Sequence, residues 1–349
     1  MRSHDLKPRC LADDLLITSR GERYIHKCTT GVCASLAYFE DIGAKVAESK
    51  CFTFAGDQGS RAFLKTFTWD SNGTQIPVRN NFRDLGTHLN LTDATIGTTT
   101  TKRMLIARQM AQRLRWLPLS QVEKESYVRS NINPAALYGV EATRVSNTSL
   151  QSLRSAIARA IGPRSSRRSL GMTFSCTSCA NDLDPAVQIL VRRVLTVRRI
   201  MSKHNGQHGL VRLIIRHYQK PGQSSPIVPQ GPIGLLVQEL RAMGADIDDN
   251  LRITQPSEAA IDLWHIPWQH LQKAVAQIAV RHRTRQEASS RQHLAGLTEI
   301  DEPILRSCIN KLGGIEKKII THIATGGAWG EQQLHEIGRG QMSVCRICE

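Results

Sequence analysis

The segment LADDLLIT (residues 11–18) places two adjacent carboxylates, Asp13 and Asp14, inside an otherwise apolar stretch. Adjacent carboxylates repel each other, so an apolar flank around both of them requires a reason. One reason is metal binding, because two Mg²⁺ ions about 4 Å apart activate the attacking hydroxyl and stabilise the leaving oxygen in nucleotidyl transfer. Hard oxygen ligands suit Mg²⁺, and a tight β-hairpin turn projects such carboxylates beyond the strand ends. The alternative is an ordinary acidic turn between two short strands.

The residues around this segment, up to about residue 95, predict a mixture of helix and strand. We expect a helix over residues 31–42, because Gly43 stands where a helix C-terminal glycine belongs. Residues 50–56 (KCFTFAG) predict a strand with Phe52 and Phe54 on one face. A further short strand and turn are expected over residues 80–91.

From about residue 99 the pattern becomes helical. Two arginines seven apart, Arg108 and Arg115, lie on a different face from the apolar residues that recur at helical spacing, which are Ile106, Met110, Leu114 and Leu117. A second helix is expected over residues 121–132, ending before Pro134. Ser149 is expected to cap a third helix, Leu150 to Ile161, which the Gly-Pro pair at 162–163 ends.

Further helices are expected in the rest of the chain. Asp184 and Pro185 predict a helix start, as N-cap and first-turn proline, for a helix with an apolar stripe at Leu190, Val194, Val197 and Met201. Residues 219–234 are rich in Pro, Gly and Ser, and they predict a linker or a long loop. The remaining helical segments are expected over residues 234–243, 267–298 and 302–324.

The charge is strongly basic, with 46 Lys and Arg against 30 Asp and Glu and a formal net charge of +16. Such an excess indicates a polyanionic partner, either nucleic acid or an anionic membrane surface. Most of it lies in residues 101–170, which hold thirteen basic and three acidic residues, and in residues 190–220. A helical scaffold that binds acidic proteins is a further alternative.

Cysteine use and the N-terminal segment bear on the compartment. The nine cysteines are odd in number and irregularly spaced, which argues against a secreted disulfide framework. No run approaches the roughly 18 apolar residues that a membrane span needs, and MRSHDLKPRC lacks the apolar core of a signal peptide. We therefore expect an intracellular protein, in the nucleus or the cytoplasm.

Four segments, in order and at suitable distances, resemble reverse transcriptases of the non-LTR (LINE-type) retrotransposon family. Residues 12–17 (ADDLLI) resemble the palm hairpin, motif C. Residues 42–51 (IGAKVAESKC) resemble motif D, a helix that ends in glycine and precedes a lysine-bearing turn. Residues 82–89 (FRDLGTHL) resemble motif E, the primer grip, and residues 134–141 (PAALYGVE) resemble a segment of the thumb. The resemblance covers residues 9–165 well and the rest of the chain only loosely.

This resemblance implies an α+β fold. Residues 1–95 would form a partial palm of β-hairpins and a helix, residues 96–165 a basic, helical thumb, and residues 166–349 a mainly helical C-terminal region. The implied activity is that of an RNA-directed DNA polymerase with Mg²⁺ as cofactor. Asp13 and Asp14 would be the catalytic metal ligands, and Lys50 would meet the triphosphate or the leaving pyrophosphate.

The individual residues also have simpler interpretations. Lys50 is equally well explained as a solvated lysine that opens a strand, and Gly86 as a plain hairpin glycine rather than one beside a nucleic-acid backbone. For Tyr138 and Gly139 we favour a helix terminus with a buried ring.

The basic helices imply a nucleic-acid interface for RNA, DNA or an RNA–DNA hybrid. Arginines bind phosphates without reading sequence, which is what a thumb that follows a template–primer duplex requires. The alternative is a solvated helix face. The candidate residues are Arg103, Arg108, Arg113, Arg115, Arg154, Arg192, Arg193, Arg198 and Arg199.

The sequence also departs from the family pattern. It contains no counterpart of the third catalytic aspartate (motif A), of motif B or of the fingers, and Leu11 stands where an aromatic residue is usual. We therefore expect no polymerase activity from this chain alone. A non-catalytic RNA- or DNA-binding protein derived from such an element is the alternative function.

The last cysteine pair, Cys345 and Cys348, resembles the first half of the zinc site that follows the polymerase in many such elements. Tetrahedral zinc needs four ligands, and a four-cysteine site completed by Cys176 and Cys179 is disfavoured by the long separation, so we expect no bound zinc. His204 and His208 are expected to be loop residues, because Gly206 lies between them.

Overall fold

The computed structural model describes residues 6–11, 14–69, 75–84, 87–91, 97–203, 207–219, 231–256, 258–328, 334–335 and 338–339. It confirms the coarse α+β class, because helices dominate and the strands form only small antiparallel sheets. The chain divides into two compact units. The first comprises Met1–Phe82 and Asn90–Ala94, and the second comprises Arg83–Leu89 and Thr95–Glu349.

The first unit begins with an antiparallel β-hairpin. Strand β1 (Leu6–Leu11) pairs with β2 (Asp14–Ser19), and Leu11 lies opposite Asp14 in this register. Helix α1 (Tyr24–Asp41) packs on the hairpin. Gly31 allows this close approach, because a Cβ atom at that position would lie 2.7 Å from Leu6 Cδ2.

Helix α1 starts seven residues earlier than the sequence predicts and ends as expected. Gly43 has a φ of +69°, the left-handed conformation that suits glycine. The Gly43 N–H donates to the Glu40 carbonyl and the Ala44 N–H donates to the Phe39 carbonyl, which together satisfy the helix end.

The strand expected over residues 50–56 does not form. Lys50 ends a short 3₁₀ turn (Glu48–Lys50), and only Thr53 makes a bridge, to Val78. Residues 52 and 54 nevertheless share a face, since both phenylalanine rings contact Phe82. Pro77 has no N–H, so the pairing cannot extend from this bridge towards residue 51.

Helix α2 (Gln58–Thr66) follows this segment and starts at the Asp57 carboxylate, which accepts from the Ser60 N–H. The expected second strand and turn are confirmed as β3 (Asn81–Asp84) and β4 (Thr87–Asn90), which pair in a two-stranded sheet. Gly86 lies between these strands, outside the described residues.

The first helix of the second unit is α3 (Thr98–Leu114), whose buried face differs from the predicted stripe. The buried positions are Thr100, Met104, Ala107, Ala111 and Leu114, whereas Ile106 is 57% exposed. Leu117, also assigned to that stripe, lies beyond the helix and is exposed. The small alanine side chains let a later helix, α6 (Asn147–Ile161), pack closely on this face.

The helix expected over residues 121–132 continues through Pro134 instead of ending before it. Helix α4 (Gln121–Tyr127) leads into a π turn (Val128–Ile132) and then into α5 (Asn133–Leu137). A proline nitrogen cannot donate to the helix, and the wider π turn just before it accommodates the missing bond. Helix α6 is capped by Ser146, whose hydroxyl accepts from the Ser149 N–H, so the cap lies three residues before the predicted one.

The next helices are α7 (Leu170–Ser175), a 3₁₀ turn (Ala180–Asp182) and α8 (Pro185–Lys203). The Ala186 N–H donates to Asp184 Oδ1 at 3.0 Å, which confirms the predicted N-cap. All four residues of the predicted α8 stripe are buried.

A hydrophobic core surrounds α8. It is built from α9 (Gln207–Gln219), α10 (Gly231–Ala242), α11 (Trp268–Ser290) and an antiparallel sheet of β5 (Asp246–Ile247), β6 (Arg252–Thr254) and β7 (Ile261–Asp262). Of the predicted linker, residues 231–234 belong to α10 and residues 220–230 lie outside the described part. A 3₁₀ turn (Gln292–Leu294), α12 (Glu302–Asn310) and α13 (Gly314–Ala324) follow.

A buried ionic network connects these helices. Both oxygens of the Asp184 carboxylate accept from Arg154 on α6, at 2.8 and 2.9 Å, and Oδ2 also accepts from Arg283 on α11 at 2.8 Å. Arg283 also donates to Ser175 Oγ at 2.8 Å and to Glu302 Oε1 at 3.1 Å. Four helices and the end of α7 therefore meet at one set of charges.

We expect Asp184→Asn to lower the free energy of unfolding by about 3–5 kcal/mol, because it removes the charge that neutralises two buried guanidinium groups. Asparagine is itself a good N-cap, so the measured loss reflects the ion pairs and not the helix cap. Burial alone would raise the pKa of Asp184, but Arg154 and Arg283 outweigh it and lower this pKa to about 2. The extra unfolding free energy of the wild type over Asp184→Asn is therefore fully present above the ordinary carboxylate pKa, and it disappears as the pH falls towards 2.

Denaturant unfolding between about pH 7 and pH 2 measures this difference. The matched control is Asp249→Asn, which breaks the exposed Arg216–Asp249 pair and should cost less than about 1 kcal/mol. Equal effects of the two substitutions would contradict a structural role for the buried network.

We also expect Gly171→Ala to destabilise the protein. A Cβ atom there would lie 2.8 Å from Arg283 Nε and 2.9 Å from Glu287 Oε2, and Arg283 is held in the network and cannot move freely. The control is Gly209→Ala on α9, where no atom lies within 4 Å and alanine should stabilise the helix by about 0.5–1 kcal/mol. Thermal melts of both variants report the sign, and a stabilised Gly171→Ala protein would contradict the close packing.

Candidate nucleic-acid interface

A groove of about 520 Å³ lies where α3 and α6 run side by side in the second unit. Its residues follow helical spacing on both helices. They are Arg108, Gln112, Arg115 and Trp116 on the α3 side, and Gln151, Ser152, Ser155, Ala156 and Arg159 on the α6 side. The small faces of the two helices pack together, so the longer polar side chains are left to form the walls.

The groove is positively charged and not neutralised from within. Among the described residues, no carboxylate lies within ion-pair distance of Arg108, Arg115 or Arg159. The pKa of the nearby Arg168 is lowered by burial and by the positive charges of Arg159 and Arg115. The arginines therefore repel each other, and an anion placed among them would relieve this repulsion.

An exposed aromatic ring completes the groove. The guanidinium carbon of Arg115 lies 4.9 Å from the centre of the Trp116 ring, in cation–π contact. Trp116 is 72% exposed. The groove thus offers cations, neutral amide and hydroxyl groups, and one aromatic surface.

The remaining predicted arginines lie outside the groove. Arg103 donates to the Tyr138 carbonyl at 2.8 Å and lies over the Tyr138 ring at 4.8 Å. Burial and the charge of Arg83 lower the pKa of Arg103. Tyr138 does end a helix, as predicted, but its ring is exposed rather than buried. Arg113 and Arg199 are exposed on α3 and α8.

Four predicted arginines are used inside the protein. Arg154 is buried against Asp184, and Arg193 is buried against Glu239 at 2.7 Å. Arg198 donates to the main-chain carbonyls of Ile266 and Trp264, at 2.7 and 3.3 Å, and Arg192 lies 3.6 Å from the carboxylate of Glu141. These four guanidinium groups are therefore engaged in contacts within the chain.

Arg159 lines the groove and Arg168 lies near it, but neither was among the predicted site residues. A signal for Arg159 exists in the sequence, because Gln151, Ser155 and Arg159 recur every four residues and so share one face of α6. Arg108, Gln112 and Arg115, spaced four and three residues apart, share one face on the α3 side. Pairing these two polar faces would have identified the groove.

The predicted catalytic residues belong to the first unit. Asp14 is exposed and begins β2 at the tip of the hairpin, while Asp13 lies outside the described residues. Lys50 is exposed at the end of its 3₁₀ turn and does not open a strand.

The fit of Mg²⁺ to this site depends on its oxygen ligands. Octahedral Mg²⁺ needs several oxygen ligands, and the described part of the hairpin tip supplies the Asp14 carboxylate alone. Among the residues that the structure describes, no group of three or more His, Cys, Asp or Glu side chains is placed to hold a metal ion.

Of the predicted cysteine and histidine pairs, only some residues lie in the described part of the chain. Cys176 is buried in the core, and this burial raises the pKa of its thiol to about 12, whereas Cys179 is half-buried. Cys345, Cys348 and His204 lie outside the described residues. His208 is not a loop residue, because it lies in the first turn of α9, with its ring against Trp264.

Comparison with protein-family models, with curated proteins and with solved structures gave no match. None of the helices in the described ranges combines the length and the apolar character needed to cross a bilayer.

Proposed function

We propose that this protein binds nucleic acid through the α3–α6 groove, and that it does so mainly by contacting phosphates rather than by reading sequence. The observation that supports the proposal is the unneutralised set of Arg108, Arg115 and Arg159 in one groove. Phosphate contacts supply most of the affinity in sequence-independent binding, and arginine binds phosphate oxygens in a two-pronged geometry.

The neutral residues of the groove fit the same partner. Gln112, Gln151, Ser152 and Ser155 offer amide and hydroxyl donors, which commonly bind phosphate and sugar oxygens. Arg108 and Arg159 stand on different helices, so a chain of phosphates meets cations on both walls. The formal charge of +16 adds long-range attraction for any polyanion.

We expect Arg108→Gln and Arg159→Gln each to weaken binding to RNA and to DNA, and to make the logarithmic salt dependence of the affinity shallower by about one unit. Fluorescence anisotropy with labelled oligonucleotides at several salt concentrations measures both quantities. The matched control is Arg212→Gln, which removes the same charge from an exposed position on α9.

Three results would contradict this proposal. One is an unchanged salt dependence in both groove variants, and another is an equal change in the Arg212→Gln control. The third is binding to anionic vesicles or to an acidic protein in place of nucleic acid, which would support one of the two other polyanionic partners.

A second candidate function is that of the downstream part of a non-LTR reverse transcriptase. It is supported by the β1–β2 hairpin, which has Asp14 at its tip and is the local structure that the resemblance of residues 12–17 to motif C implies. Asp14 would then act as a metal ligand in an RNA-directed DNA polymerase whose motif A aspartate and fingers are supplied by an upstream segment.

We expect the chain, joined to the upstream palm and fingers of such a reverse transcriptase, to extend a primer in the presence of Mg²⁺, and Asp14→Asn to reduce that synthesis to background. The control is Glu22→Gln, an exposed carboxylate in the same unit, which should leave synthesis unchanged. Synthesis that survives Asp14→Asn, or its absence in the joined protein, would rule out this second candidate function.

A further inference from the structure

Trp116 is placed unusually for a large apolar ring. It lies two residues beyond the last residue of α3 and lines the groove, yet 72% of it is exposed. Large aromatic side chains gain free energy when they are covered, so an exposed ring among cations marks a contact surface. Packing within the described part of the second unit leaves this surface uncovered.

The ring is also held in place. The Arg115 guanidinium covers one face at 4.9 Å, and this contact favours a single orientation of the indole. The main-chain carbonyl of Arg115 accepts from Lys124 Nζ at 3.1 Å, which ties the end of α3 to α4. A fixed ring loses less conformational entropy when a second flat group stacks on it.

The open face of the indole can stack on a free aromatic face, which only some nucleic acids offer. An unpaired base has a free aromatic face, whereas bases inside a duplex are already stacked on their neighbours and paired across the helix. Proteins that bind single strands combine a positively charged groove with aromatic side chains on which bases stack. The α3–α6 groove has both of these features.

Resting on the proposed function, we propose that the groove selects single-stranded over double-stranded nucleic acid. An unpaired base stacks on the open face of Trp116, and Arg108 and Arg159 hold the phosphates on either side of it. Since every base has an aromatic face, this selection depends on strandedness and not on sequence.

The test compares one oligonucleotide of about 12 nucleotides with the duplex of the same sequence, both bound to the full chain. We expect Trp116→Leu to weaken single-strand binding about tenfold and to leave duplex binding unchanged. Trp116→Phe keeps an aromatic face and should retain most of the single-strand affinity. The matched control is Trp268→Leu, at a position that is 56% exposed at the start of α11, and it should change neither affinity.

Because Trp116 is exposed, its variants are expected to fold, and circular dichroism with thermal melting checks that they do. Unchanged single-strand affinity in Trp116→Leu, or an equal loss for single strand and duplex, overturns the inference. So does a loss in the Trp268→Leu control of the same size.

Failure of this inference can be told apart from failure of the proposed function. If Arg108→Gln and Arg159→Gln weaken binding to both nucleic acids while Trp116→Leu alters neither, the groove binds phosphates and the stacking proposal is wrong. If the arginine variants also have no effect, the groove is not the interface and both proposals are wrong.

Discussion

The second unit depends on one buried carboxylate, that of Asp184, which accepts hydrogen bonds from two guanidinium groups and from the first turn of α8. A charged group without partners is strongly disfavoured in a protein interior, so α6, α8 and α11 must all be in position before this charge is stabilised. A set of ion pairs of this kind acts less as a source of net stability than as a condition on how the helices assemble. Apolar contacts are non-directional, whereas these ion pairs need their partners at hydrogen-bonding distance.

This constraint also explains the groove. Arg154 and Arg159 lie five residues apart on α6, and they point to opposite sides of that helix. Because Arg154 is fixed against Asp184, the rotation of α6 about its own axis is set, and Ser155 and Arg159 are placed along the groove beside α3. The polar wall of the groove is thus a consequence of the buried pairing on the other side of the helix.

Much of the fold could be predicted from periodicity and helix ends, for instance the Asp184 cap, the apolar stripe of α8 and the end of α1 at Gly43. The site was harder to predict, because an arginine that pairs with a buried carboxylate more than twenty residues away has the same local sequence as one that faces solvent. Arg154 and Arg193 were therefore predicted as nucleic-acid contacts, while Arg159 was missed. Tertiary packing decides which arginine is buried and which faces solvent. It also decides that Ile106 is exposed while two alanines of the same helix are buried.

The buried ion pairs also bear on the net charge that the protein surface presents to a ligand. Arg154, Arg193 and Arg283 are matched by Asp184, Glu239 and Glu302, so these groups together contribute almost no net charge. Each pair removes one carboxylate and one arginine from solvent, so the formal excess of +16 is carried by residues outside these pairs. At the α3–α6 groove this excess is concentrated between two helix faces that carry no described carboxylate near the arginines. Because the buried pairs are neutral, the attraction of the surface for phosphates comes from the net charge outside them, including the groove arginines that have no described carboxylate partner.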